Sequence, residues 1–212
     1  MLEEKNMKIA TALAVLFISA AAFVSPALAH DDYKGDGHSD RGGHGDGYDH
    51  GNKKYKFDCY YLKQIATSSL LEIHLGYLAQ TNSQNPAVQE FGRRLIEDHT
   101  LAYQQAQELA SKLDCKLPDL NKEQRYVLKR LSSLRGLEFD REFIAFNIQA
   151  HIANIKLSQL AALKAKKAEV RQFARDQLLV LTKHLVIALE IRETLYDKSE
   201  DSQDNQDDQE QD

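Results

Sequence analysis

Residues 57–196 carry apolar side chains every three or four positions in four long runs, interrupted by only two prolines and three glycines. That period gathers the apolar residues of each run on one face of a helix, and no part of the stretch alternates as a half-buried strand would. Such a chain must fold as helices packed face to face. The first run, Phe57 to Thr81, aligns Leu62, Ile65, Ser69, Glu72, Gly76 and Ala79. "NSQNP" ends it, because Asn and Ser favour turns and Pro86 suits the first position of the next helix. The second run aligns Val88, Phe91, Leu95, His99, Ala102 and Ala106 before "CKLP". A third, Glu138 to Lys166, aligns Phe143, Asn147, His151 and Asn154; a fourth, Glu169 to Tyr196, aligns Phe173, Gln177, Leu181, His184, Ala188 and Ile191. The connection Leu117 to Gly136 holds a helix of its own, opened by Asn121 and Gln124 at capping-box spacing. The expected fold is an all-α four-helix bundle, two antiparallel hairpins joined by a helical crossover.

Both ends of the chain lack this pattern. Residues 7–29 set one lysine before an apolar run that closes on Ala27-Leu28-Ala29. This is the layout of a cleavable secretory signal, too short to span a bilayer, so residues 1–29 read as a signal peptide with Met7 as its start. Export to a periplasmic or secreted location follows, without integral membrane association after cleavage. Residues 30–56 hold seven of the ten glycines and four of the eight histidines and almost nothing apolar, so disorder is expected there. Residues 197–212 form a second expected disordered tail with eight carboxylates and one lysine. That stretch contributes −7 to a chain total of −5, which leaves about +2 elsewhere and no basic face for nucleic acid.

Each helix also brings one metal-competent polar side chain to its apolar face: Glu72, His99, His151 and His184. In an antiparallel hairpin, residues equally far from the turn lie side by side. The midpoint of Glu72 and His99 falls between Asn85 and Pro86, and that of His151 and His184 between Lys167 and Ala168, both in expected turns. At 1.5 Å rise per residue the two pairs stand about 20 and 25 Å from their turns, so the four groups share one level near mid-bundle. Three imidazoles and a carboxylate suit zinc, copper, iron or nickel. Asp98, Asn147, Asn154 and Gln177 are placed to orient those ligands from behind. A metal-free reading accounts for the same residues as a hydrogen-bonded network in the core.

"LLEIHLGYLAQTNSQNPAVQEFGRRLIEDHT", "GLEFDREFIAFNIQAHI" and "VRQFARDQLLVLTKHLVIALE" resemble an exported bacterial family that is catalogued as a domain of unknown function, often labelled an outer-membrane protein and placed in the ferritin-like superfamily. Glu72, Asp98, His99, Phe139, Asp140, His151 and His184 match its recurring positions. The resemblance implies a ferritin-like bundle over residues 57–196 and no established activity. Ferritin-like di-iron sites use Glu-x-x-His on two helices, and here Ile or Leu stands three residues before His99, His151 and His184. Iron storage and di-iron oxidation are therefore unsupported, and the lack of alternating strands removes the basis for an outer-membrane barrel.

Two further features carry chemistry. His30, His38, His44 and His50 read either as weak metal sites or as part of a hydrophilic spacer. Cys59 and Cys115 fall at one end of the first hairpin, and an oxidising compartment favours a disulfide between them. No nucleophile is paired with a base and no phosphate loop is present, so binding is expected rather than turnover. The leading expectation is an exported bundle holding a single transition metal at Glu72, His99, His151 and His184. The alternative is a metal-free structural, interaction or stress-related protein of the cell envelope; neither reading identifies a protein partner.

Overall fold

The computed structural model describes the backbone of residues 53–207 and the side chains of residues 54–196. The proposed signal peptide and His30, His38, His44 and His50 lie outside the described residues. A 3-10 turn at Lys53–Tyr55 leads into five helices: α1 Lys56–Asn82, α2 Pro86–Lys112, α3 Lys122–Ser132, α4 Gly136–Lys164 and α5 Ala168–Asp207. No strand occurs among the described residues. Helical backbone continues through Asp207, past Tyr196 and into the acidic stretch that the sequence reading places in a disordered tail.

Local chemistry explains the boundaries. Asn85 caps α2, its side chain accepting from the Ala87 amide at 2.9 Å, and Pro86 follows at the first helical position. Asn121 and Gln124 form both bonds of a capping box at the start of α3. At the end of α2 the Cys115 amide donates to the Ala110 carbonyl, the Asp114 amide donates to the Ser111 carbonyl, and Asp114 takes φ +54°. This left-handed cap reverses the chain within two residues. It sets Cys115 5.6 Å, Cα to Cα, from Cys59, to which it is joined in a disulfide.

α1 packs on α2 and α4, and α5 packs on α4 and α2, so the four long helices form a ring in the order α1, α2, α5, α4. At one end the Asn82 amide donates to the carbonyls of Leu131 and Leu134, at 3.3 and 3.0 Å. The crossover that carries α3 is thereby tied to the turn between α1 and α2, and α4 starts beside it, running in the same direction as α2. At the other end buried Asp58 accepts from the amides of Lys166 and Lys167, at 2.9 and 2.8 Å, and so holds the turn between α4 and α5. α1 and α2 touch backbone to backbone: a Cβ on Gly76 would meet the Gly92 carbonyl oxygen at 2.6 Å, and one on Gly92 would meet the Ala79 Cβ at 2.5 Å.

The interior is divided into three storeys. One apolar cluster, with Leu75, Phe91, Leu95, Phe139, Phe143 and Ile191, fills the end bearing the crossover. A second, with Tyr61, Leu62, Ile65, Ala106, Ala161 and Phe173, fills the disulfide end. Between them, on all four long helices, lie the buried polar residues Ser69, Glu72, His99, His151 and His184. Burying ionisable groups is costly unless they are paired or coordinate a metal, so this middle storey is where function is to be sought.

Candidate metal centre

His99 is exposed to 2%, and His151 and His184 to 0%. One ring nitrogen from each lies within 4.8 Å of those of the other two. The ring centroids are 5.3 to 5.7 Å apart. Helices α2, α4 and α5 thus bring their three imidazoles together in this storey. His74, two residues from Glu72, is exposed on the other side of α1.

The outward nitrogen of each ring is held by a partner. His151 Nδ1 donates to the Asn147 carbonyl at 2.8 Å, one turn back on α4. His184 Nε2 donates across the seam between α2 and α5 to Asp98 Oδ2 at 2.8 Å. His99 Nδ1 lies 3.3 Å from Ser69 Oγ on α1. In neutral rings the carbonyl and carboxylate bonds decide two tautomers, leaving lone pairs on His151 Nε2 and His184 Nδ1, whereas the Ser69 hydroxyl, donor or acceptor, admits either tautomer of His99. His99 Nε2 has no partner, and the other two lie 3.2 Å apart with lone pairs facing.

Two facing lone pairs repel unless a cation lies between them. Burial is the first reason why a proton is disfavoured: it depresses the pKa of all three rings, that of His151 to about 3, and the neighbouring imidazoles depress His99 and His151 further. Asp98 works against burial at His184 without cancelling it. A metal ion has no such difficulty. Donors 2.0–2.1 Å from a tetrahedral ion stand about 3.3 Å apart, close to the 3.2 Å observed. The His151–His184 pair therefore fits a borderline transition metal, each of these rings backed by an acceptor as metal-binding histidines commonly are, and His99 brings a third nitrogen within 4.8 Å of theirs.

Glu72 lies outside the three-histidine group. Its side chain is buried and both carboxylate oxygens lack partners, and burial pushes its pKa up to about 8. It stands one turn along α1 from Ser69, which touches His99. The proposed orienting residues divide. Asp98 serves His184 on the opposite hairpin rather than its own neighbour His99. Asn147 serves His151 through its backbone carbonyl, while its side-chain amide donates to Phe143. Asn154 donates to Ser68 at 2.7 Å, and Gln177 is buried two turns from His184.

Sequence reasoning missed two participants. Ser69 was read only as a small residue on the stripe, although its midpoint with His99 also falls in the first turn. Phe91 was read as core, yet its ring stands edge-on to His184, with centroids 5.9 Å apart, and 6.5 Å from His151. Its place two turns before His99 was the available signal.

Solved structures share this fold at low sequence identity. A DUF305 fragment from Deinococcus radiodurans matches with TM-score 0.58 and 14% identity, over 66% of this chain and 97% of that one. A DUF305 protein from Streptomyces coelicolor, described as secreted, matches with TM-score 0.57 and 8% identity, over 66% and 93%. CopM in its Cu(II)-bound form matches with TM-score 0.57 and 14% identity, over 65% and 96%. No curated protein matches. A family model does match, over residues 50–191, from before α1 well into α5, and on that match the chain belongs to the family described as a domain of unknown function, DUF4142.

Proposed function

We propose that the protein is an exported binder of one transition-metal ion, held in the middle storey by His99, His151 and His184 with Glu72 as the fourth donor. The observation that carries this reading is the convergence of three imidazoles, with His99 Nε2 unpartnered and His151 Nε2 and His184 Nδ1 facing only each other, each on a ring whose other nitrogen has an acceptor or hydroxyl partner. Unpartnered Glu72 adds a carboxylate that a divalent ion would ionise. Nitrogen and oxygen donors suit zinc, copper, iron or nickel. Copper heads this list because a bundle of the same fold is known in a Cu(II)-bound form. On this reading the site serves binding and handling of the ion, its hydroxyl and carboxylate neighbours orienting the rings.

Export rests on the signal-like residues 7–29, the disulfide and the neighbour described as secreted. The single long crossover is the arrangement of ferritin-like bundles, which supports that superfamily placement without its di-iron motif. A metal-free network is the second reading, favoured by the 3.2 Å separation of His151 Nε2 and His184 Nδ1, which also suits a hydrogen bond.

Metal analysis of untagged protein separates the two. Wild type and a chain lacking residues 30–56 should each retain about one equivalent, and His99→Ala with His184→Ala should retain none. Metal that disappears with residues 30–56 and survives the double substitution would place binding in the histidine-rich segment and sink the core site.

A further inference from the structure

Building on the metal-site reading, we propose that the ion enters and leaves along the seam between α2 and α5, and that Asp98 is the carboxylate it meets first. Packing contacts occupy the two ends of the bundle and the seams of α1 with α2 and α4. Apolar clusters fill the bundle above and below the histidines. Backbone contact at Gly76 and Gly92 seals α1 against α2. Between α1 and α4 the polar contacts Tyr61–Ser158 and Asn154–Ser68 bridge the helices.

The seam between α2 and α5 differs. A groove of about 410 Å³ runs along it, flanked by Glu90, Arg94, Ile187 and Glu190, with Phe91 among its lining. Arg94 and Ile187 stand one turn from Asp98 and His184, so the groove ends one turn short of the Asp98–His184 contact. Phe91, fully buried, separates the groove from the rings of His184 and His151. Asp98 has 41% of its side chain exposed, whereas His184 has none. The remaining outward partners, Ser69 and Asn147, are buried. Of the three outward partners, Asp98 alone reaches solvent.

The charged groups along this face are mixed. Glu90 is tied to Arg93 and Arg94, Glu190 is exposed, and Lys183 and Arg94 act on His184. Asp98 is the carboxylate among them that also touches a ligand. An ion held by the Asp98 carboxylate would stand beside His184, whose Nδ1 already faces the other rings. Asp98 thus has two tasks, holding the His184 tautomer in the resting protein and receiving the ion during exchange. Ser69 has only the first task, at His99.

That difference makes the test. Loading of the full chain with Co²⁺ is followed by stopped flow through the intense visible bands of tetrahedral cobalt, with release measured by chelator chase. Asp98→Asn retains an oxygen to accept from His184 but loses the charge. It should reach the same final cobalt band with association slowed about tenfold or more, while Asp98→Glu should load as wild type does. Ser69→Ala should load at the wild-type rate and release faster. Equal association rates for Asp98→Asn and wild type, with only release altered, would overturn the entry route. Failure of wild type to form the band at all would overturn the metal reading itself, and the route with it.

Discussion

Glu72, outside the three-histidine group, is the residue whose proposed role as fourth donor most needs a test. Both its oxygens are buried without partners, and burial holds the carboxyl largely protonated at neutral pH. A glutamine has the same shape and no charge to lose. Glu72→Gln should therefore leave the thermal stability of the metal-free protein nearly unchanged while weakening metal binding at pH 7 by about 10–100-fold, the scale seen when a metal site loses a supporting group. An unchanged Kd in competition titrations would leave three histidines as the whole donor set. Asp140 offers a pH test away from the site. It is 3% exposed with Oδ1 unpartnered, and burial raises its pKa against the opposing effect of the Ser83 hydroxyl. A raised folded-state pKa means that its stability is complete below the unfolded carboxylate pKa and is lost as pH rises through the folded value. Asp140→Asn does not titrate, so its Tm advantage over wild type should grow between pH 4 and pH 7. A difference that is flat with pH would contradict this.

At the scale of elements, two backbone features set how the helices meet. The contact of α1 with α2 at Gly76 and Gly92 leaves no room for a methyl group, since the obstacle on both sides includes backbone carbonyl oxygen. Gly76→Ala should cost about 1–3 kcal/mol in urea unfolding despite the better helix propensity of alanine. The cap at the end of α2 has slack in the other direction. Asp114 holds φ +54°, which suits glycine better than an L-residue. Asp114→Gly should raise stability by about 0.5 kcal/mol, the left-handed penalty of about 1–2 kcal/mol less the added entropy of an unfolded glycine. The same cap shows why Cys115 meets Cys59 although their midpoint misses the turn by about two residues: the chain doubles back there. Sequence spacing located the cysteines at one end of the hairpin, but a left-handed aspartate has no periodic signature.

For the whole molecule, the disulfide and the Asp58 clamp secure the end remote from the crossover, and Asn82 secures the other. The disulfide joins residues 56 apart in sequence, and closing a loop of that size stabilises by about 4 kcal/mol in the chain-entropy model. Cys59→Ser with Cys115→Ser should lose a comparable amount in denaturant unfolding, and reductant should lower the Tm of wild type towards that of the variant. Metal should then shift the Tm of both upwards by a similar amount, because the histidine storey lies between the two apolar clusters rather than at the disulfide end.

Helix number and hairpin order were legible because they rest on local chemistry: a 3.6-residue period, Asn85 with Pro86, and the capping box at Asn121. Counting residues to each turn predicts one level for Glu72, His99, His151 and His184, since rise per residue is constant along a helix; the structure groups the three histidines and leaves Glu72 outside them. Spacing assigns a side chain to a face, but it does not say which atom meets which neighbour. Adjacent residues on α2 point about 100° apart. His99 therefore turns inward while Asp98 reaches across the seam to His184, and only the rotation and packing of α2 against α5 decide that pairing. The same packing leaves Glu72 without a partner and makes a backbone carbonyl, not the Asn147 side chain, the anchor of His151. The chain by itself determined a bundle with a polar middle storey; the tertiary structure decided which nitrogens face one another inside it.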